Sequence, residues 1–192
     1  MKIAFIMFDD LTFLDLVGFY DPVTRLKTMG FVQELSWDMC ALKERITDDR
    51  GLGILASSVN EPLEAYDVLF IPGGVGTRRL QNDSIFIDWI RTAQKSRLKV
   101  SVCTGSLILG AAGFLEGKRA TTHLNAMEEL SRYCPDPSSR RIVDAGDVVT
   151  GGGVASSLDL GLYMVERLAG AGARMKIAEQ MAYPFFESQA EA

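Results

Sequence analysis

Short apolar runs alternate with helix-patterned segments along this chain, and two of the runs stop abruptly on small residues. Residues 66–71 (YDVLFI) end at Pro-Gly-Gly, and residues 98–102 (LKVSV) run straight into Cys103, Thr104 and Gly105. A short continuous apolar run bounded by turn residues is the pattern of a strand buried on both faces. Residues 2–8 (KIAFIMF) repeat it, and residues 31–42 and 53–57 also read as strands. Residues 13–29 read as helical, with Pro22 marking a start or a kink. Over 84–95, Phe86, Trp89, Ile90 and Ala93 fall on one helical stripe, capped by the polar NDS at 82–84. A small-residue helix follows Cys103. Asn125 and Glu128 form a capping-box-like pair that opens a helix to about Tyr133. Residues 141–144 and 147–150 suit a hairpin around Ala-Gly, and helices close the pattern at 154–168 and 173–182. Strands alternating with helices predict an α/β three-layer sandwich, a mostly parallel central sheet with helices on both faces. Ligands in such sheets bind at the carboxyl ends of the strands. The chemistry is therefore expected at PGG, 72–74, and at VCTG, 102–105.

Composition narrows the class. The 192 residues are 47% apolar and 23% charged, which excludes a disordered, collagenous or disulfide-miniprotein chain and fits a single domain over 1–192. A net charge of −5 counts against a nucleic-acid partner. His123 is the only histidine, so no transition-metal site is expected. The three cysteines, at 40, 103 and 134, make no C-x-x-C and no regular framework, which points to a reducing, cytoplasmic setting. The apolar run at 3–8 is too short for a signal segment or a membrane span, so no membrane association is expected. The polar ESQAEA at 187–192 reads as a frayed tail, with no appended helix-turn-helix-like domain.

Cys103, between a predicted strand and a predicted helix, has the setting of a nucleophile elbow. Gly105 supplies the small residue two positions on, while Ser101 replaces the glycine usual two positions before. A thiol at a helix N-terminus feels the positive end of the dipole, so its pKa is expected to fall. The Thr104 amide points to the same space and suits a developing anion. The residues alone leave a second reading open, a buried inert thiol. Cys40 reads as core and Cys134, before Pro135, as structural.

A thiol nucleophile needs an acid or a base. His123 is the one imidazole, and it reads equally as a satisfied pocket histidine. Asp15 lies in LTFLDLVGFYDP between Leu14 and Leu16, where burial would favour its neutral form; it reads equally as a helix cap. The glycine-rich GGVGTR lacks the Gly-Lys-Ser/Thr of a phosphate loop and reads as a turn with exposed amides. The TGGG at 150–153 reads as a tight turn, and Arg78 and Arg79 as surface residues.

YDVLFIPGG, VSVCTGSLILGAAGFLEGKRATTH and VVTGGGVASSLDLGLYMVERLAG together resemble the ThiJ/PfpI superfamily, over roughly residues 2–182. The implied fold is flavodoxin-like, of the class I glutamine amidotransferase-like kind. CTGSLILGAAGFLEGKRATTH and the early FLDLVG are most similar to the branch of bacterial isocyanide hydratases and of sensor domains in AraC-type regulators. The resemblance makes Cys103 the elbow cysteine and Asp15 the acid that hydrogen-bonds it. It adds Thr104 to the catalytic set and makes Gly74, Val75 and His123 the lining of a substrate or anion pocket, with the Gly74 and Thr104 amides on the anion. It implies a homodimer acting on a small molecule with no metal or organic cofactor. PfpI-type proteases carry a histidine directly after the cysteine; Thr104 stands there, which speaks against peptidase activity. The implied reaction is hydration of an isocyanide to an N-substituted formamide by the Cys103 thiolate, with Asp15 handling the proton. Two alternatives remain, a non-catalytic thiol or ligand sensor, and glyoxalase- or deglycase-like chemistry, against which Asp15 in place of glutamate counts.

Overall fold

The computed structural model describes residues 1–183; the polar stretch at 187–192 lies outside the described residues. In chain order the elements are β1 (Lys2–Ile6), α1 (Phe13–Thr28), β2 (Ser36–Ala41), β3 (Arg45–Thr47), β4 (Gly53–Leu55) and β5 (Ser58–Val59). Then come β6 (Val68–Ile71), α2 (Gly76–Leu80), α3 (Ser84–Arg91), β7 (Leu98–Val102) and α4 (Gly105–Ala111). The last third holds β8 (Arg119–Ala120), α5 (Met127–Leu130), β9 (Asp136–Pro137), β10 (Ile142–Asp144), β11 (Val148–Gly151), α6 (Ser156–Ala169) and α7 (Ala171–Gln180).

Seven strands form one sheet in the order β10-β11-β7-β6-β1-β2-β5. Every pairing in it is parallel except β10 with β11. Helices α1, α6 and α7 pack together as one layer; α2 and α5 pack on α4 in the other. The expected mostly parallel sandwich is therefore the observed fold. From β1 the chain builds outward through β2 and β5, then returns to the other side of β1 as β6. That reversal opens a crevice at the carboxyl ends of β1 and β6, where ligands of open α/β sheets bind.

The core fixes how α1 meets this crevice. Phe19 of α1 stacks on Phe70 of β6 at 3.9 Å between centroids, and Phe5 of β1 meets both edge-on. Asp15 lies one helical turn before Phe19, so the burial of Phe19 turns Asp15 toward the strand ends as well. On its other side α1 packs on α6, with Gly18 against Ser157 and Gly161 against Pro22. Pro22 thus lies inside a continuous helix rather than at its start.

Two local expectations change. Residues 31–35 are not strand: they fold back on the end of α1, the Val32 amide donating to the Leu26 carbonyl at 2.8 Å. The turn before α5 is capped by His123, whose Nδ1 accepts from the Asn125 amide at 3.2 Å, not by an Asn125–Glu128 box. The cap predicted before α3 is present, with Asp83 accepting from the Phe86 amide.

Candidate active site

Three strand ends meet at Cys103. The residue directly follows β7 with φ +54, a left-handed conformation that costs a non-glycine residue about 1–2 kcal/mol. Its neighbours hold it there. The Cys103 amide donates to the Gly151 and Gly152 carbonyls at 3.0 and 2.7 Å, and its carbonyl accepts from the Thr122 and Ser106 hydroxyls. The side chain is 6% exposed. This is the strand-turn-helix geometry of an elbow, and the Thr104 amide and hydroxyl both interact with the thiol.

Asp15 is fully buried. It is not a cap: Thr12 occupies the N-cap position, and the Asp15 carboxyl turns into the protein. Its Oδ2 accepts from the Gly73 amide at 2.9 Å, and the carboxyl meets the Cys103 thiol side chain to side chain. Its Oδ1 is buried without a hydrogen-bond partner among the described residues. Burial is the largest influence on Asp15 and raises its pKa to about 7, against the lowering effect of the Gly73 amide and the thiol.

The same burial corrects the expectation of an acidic thiol. Cys103 is pushed up to about 12, by desolvation first and then by the Asp15 charge, and contact with Thr104 only partly offsets this. The two groups titrate as a pair, and a pair holds its protons jointly. Near neutral pH it retains at least one proton between carboxyl and sulfur.

Gly73 makes the contact possible. A methyl group there would lie 2.6 Å from Cys103 Cβ, 2.7 Å from Asp15 Oδ2 and 2.8 Å from the Thr104 nitrogen. Sequence reasoning singled out Gly74 instead; the doubled glycine after β6 was the available signal. The Gly74 amide donates to Thr104 Oγ1 at 3.1 Å and is not free for an anion. Thr77 Oγ1 lies 2.9 Å from Thr104 Oγ1, and both hydroxyls reach the Gly74 carbonyl. Thr104 therefore offers the thiol its amide while its hydroxyl ties the two loops together.

The other expected lining residues lie further out. Val75 is 62% exposed, in front of α2. His123 packs over Gly153, and no hydrogen bond joins it to Cys103 or Asp15 among the described residues. Its link to the site is through Thr122, which bonds the Cys103 carbonyl. A cleft of about 160 Å³, lined by Thr121, Thr122, Leu124, Arg141, Gly152 and Gly153, opens beside that link. Arg78 pairs with Glu129, and the three cysteines are free and buried. Among the described residues no cluster of three or more His, Cys, Asp or Glu is placed to hold a metal, and no helix is long and apolar enough to cross a membrane.

The fold has counterparts in known proteins. The model of the DJ-1/PfpI family matches residues 1–167. The chain belongs to the DJ-1/PfpI family. Within that family, it is 35% identical over 193 residues to isonitrile hydratase of Pseudomonas putida, covering 98% of this chain and 82% of that protein. It is 28% identical over 134 residues to the HTH-type transcriptional regulator CdhR of Pseudomonas aeruginosa, covering 68% of this chain and 39% of the regulator. The crystal structure of a ThiJ/PfpI family protein from Pseudomonas syringae superposes with a TM-score of 0.85 at 31% identity, over 96% of this chain and 75% of that one.

Proposed function

We propose that this protein is a cysteine-dependent isocyanide hydratase that turns an isocyanide and water into an N-substituted formamide. The observation that carries the reading is the buried Asp15–Cys103 pair with an unpartnered Asp15 Oδ1. A buried carboxylate oxygen without a donor is costly, and a protonated one is itself a donor. The reacting form of the pair is the tautomer with its proton on Asp15, in which the sulfur is a thiolate that accepts from Asp15 and from the Thr104 amide. The 35% identity to isonitrile hydratase of Pseudomonas putida supports the same reading.

The terminal carbon of R–N≡C becomes electrophilic once protonated. Asp15 gives it a proton, Cys103 Sγ bonds to it, and an S-bound thioimidate R–N=CH–S results. Asp15, now a carboxylate, passes a proton of water to nitrogen as the hydroxide adds to carbon. Loss of the hydroxyl proton to Asp15 and cleavage of the C–S bond release R–NH–CHO and restore the pair. The reading includes a cytoplasmic homodimer acting on a small molecule without a metal or organic cofactor.

The test mixes purified protein with an aryl isocyanide and follows formamide formation. Wild type is expected to form it, Cys103→Ala to form none, and Asp15→Asn to fall about 10²-fold or more. Undiminished product from Cys103→Ala would overturn the covalent scheme. No product from a wild-type protein whose Cys103 still alkylates would favour a thiol sensor, a role consistent with the relationship to CdhR.

A further inference from the structure

A second carboxylate, Asp49, is anchored to the residue that opens the helix carrying Asp15. The turn between β3 and β4 is rigid: Asp48 Oδ1 accepts from the Arg50 and Leu52 amides at 2.9 and 2.7 Å. This presents Asp49 to the segment ahead of α1. There the Asp49 amide donates to the Leu11 carbonyl at 3.0 Å, and the Thr12 hydroxyl donates to Asp49 Oδ2 at 3.0 Å. Thr12 is the N-cap residue of α1, yet its hydroxyl makes no cap bond; it is spent on Asp49 instead. Its carbonyl accepts from the Asp15 amide at 3.0 Å, so one residue joins the two acids. Asp49 Oδ1, like Asp15 Oδ1, is buried without a hydrogen-bond partner among the described residues.

We propose that Asp49 is a positioning residue for the Asp15–Cys103 pair: anchored by Thr12, its negative charge biases the shared proton toward Asp15 and so raises the share of the pair in its reactive thiolate form. Asp49 acts on Asp15 through space and raises its proton affinity. The acting charges on the pair come from each packed element: Asp49 from the β3–β4 turn and the thiol from the elbow. Arg50 lies 3.7 Å from Asp49 Oδ1 and is exposed, which leaves the charge only partly offset. Asp9, on the loop before α1, is held by Lys43.

Two consequences have opposite directions for reactivity. A nearby negative charge makes the first proton of the pair harder to lose, so the reactive monoanion forms at higher pH. Within that monoanion, the same charge disfavours carboxylate on Asp15 and favours thiolate on Cys103. Removing the charge should move the reactivity limb to lower pH while lowering its plateau. A variant that merely loosened the fold has no reason to do both.

The inference rests on the pair reading above, but its test needs no isocyanide turnover. Cys103 alkylation by iodoacetamide is followed from pH 5 to 9. Asp49→Asn is expected to move the limb down by about 0.5–1 pH unit and to lower the plateau about 2–5-fold. Asp49→Glu restores both. Thr12→Val, which keeps the charge but frees the carboxylate, shifts both in the same sense by less. Asp49→Asn with the wild-type limb, whatever its plateau, would overturn the proposal. If Asp49→Asn does not fold, an unchanged profile in folded Thr12→Val overturns it. Formamide formation with an unchanged Asp49→Asn profile would sink this inference alone; the expected profile without formamide would sink only the hydratase reading.

Discussion

The Gly73 amide donates to Asp15 Oδ2 at 2.9 Å, tying the end of β6 to the first turn of α1 directly under Cys103. The bond needs a residue without a side chain, because a methyl on Gly73 would sit 2.6 Å from Cys103 Cβ and 2.8 Å from the Thr104 backbone nitrogen. Neither neighbour is the end of a flexible side chain, so the loop itself would have to move. Gly73→Ala is expected to lose about 2 kcal/mol or more of stability. Denaturant unfolding checks this; a variant with wild-type stability would refute the close-packed reading of this turn.

Asp15 links the site to stability. Its pKa is raised from 3.8 to about 7 by burial, so the unfolded chain ionises it first as pH rises. Its favourable contribution is full below about pH 4, is lost progressively toward pH 7, and changes little above that. Asp15→Asn keeps an acceptor for the Gly73 amide and removes the titration. The variant should gain on wild type across that window, by up to about 4 kcal/mol. Unfolding free energies at pH 4.5 and pH 8 measure the gain; equal gaps at the two pH values would refute the raised pKa.

The elbow was legible in the sequence because its cause is local. An apolar run that stops on Cys-Thr-Gly before a small-residue helix has few ways to turn. The sheet and its helices were legible for a similar reason, since each run is short and bounded by turn residues. Asp15 was legible as an anomaly, an acid among leucines, but whether it capped α1 or faced the core depended on Phe19 stacking on Phe70. The thiol's high pKa was not legible. The helix dipole is a local influence, whereas desolvation and the Asp15 charge exist only once β7, β6 and α1 converge. The choice between Gly73 and Gly74 was decided by the packing of residues 10–12 against the loop. Asp49 had no signal at all: it sits on a charged turn, and only the docking of that turn on Leu11 and Thr12 brings it to the pair.

Thr104 makes a prediction that separates its backbone from its side chain. Its hydroxyl accepts from the Gly74 amide at 3.1 Å and lies 2.9 Å from Thr77 Oγ1. Thr104→Val keeps the shape and the amide offered to the thiol, but leaves the buried Gly74 amide unpaired. A loss of about 1–3 kcal/mol is expected. Adding Thr77→Val should cost less than the two single losses combined, because both side chains serve one network. A double-mutant cycle by denaturant unfolding checks this, and strict additivity would mean that the hydroxyls act independently.

The left-handed backbone of Cys103 reverses an ordinary expectation. Glycine in place of alanine usually destabilises a folded chain, because it gives the unfolded state more freedom. At φ +54 the folded state reverses the balance, since alanine keeps the Cβ clash and glycine does not. Both substitutions remove the thiol, so the comparison isolates the backbone. Cys103→Gly is expected to be more stable than Cys103→Ala by about 0.5–1 kcal/mol, with neither variant able to react with iodoacetamide at this position. Thermal unfolding of the two variants side by side measures the difference. Alanine proving the more stable would mean that the hydrogen bonds to the Gly151 and Gly152 carbonyls and from the Thr122 and Ser106 hydroxyls do not hold a strained residue at the elbow.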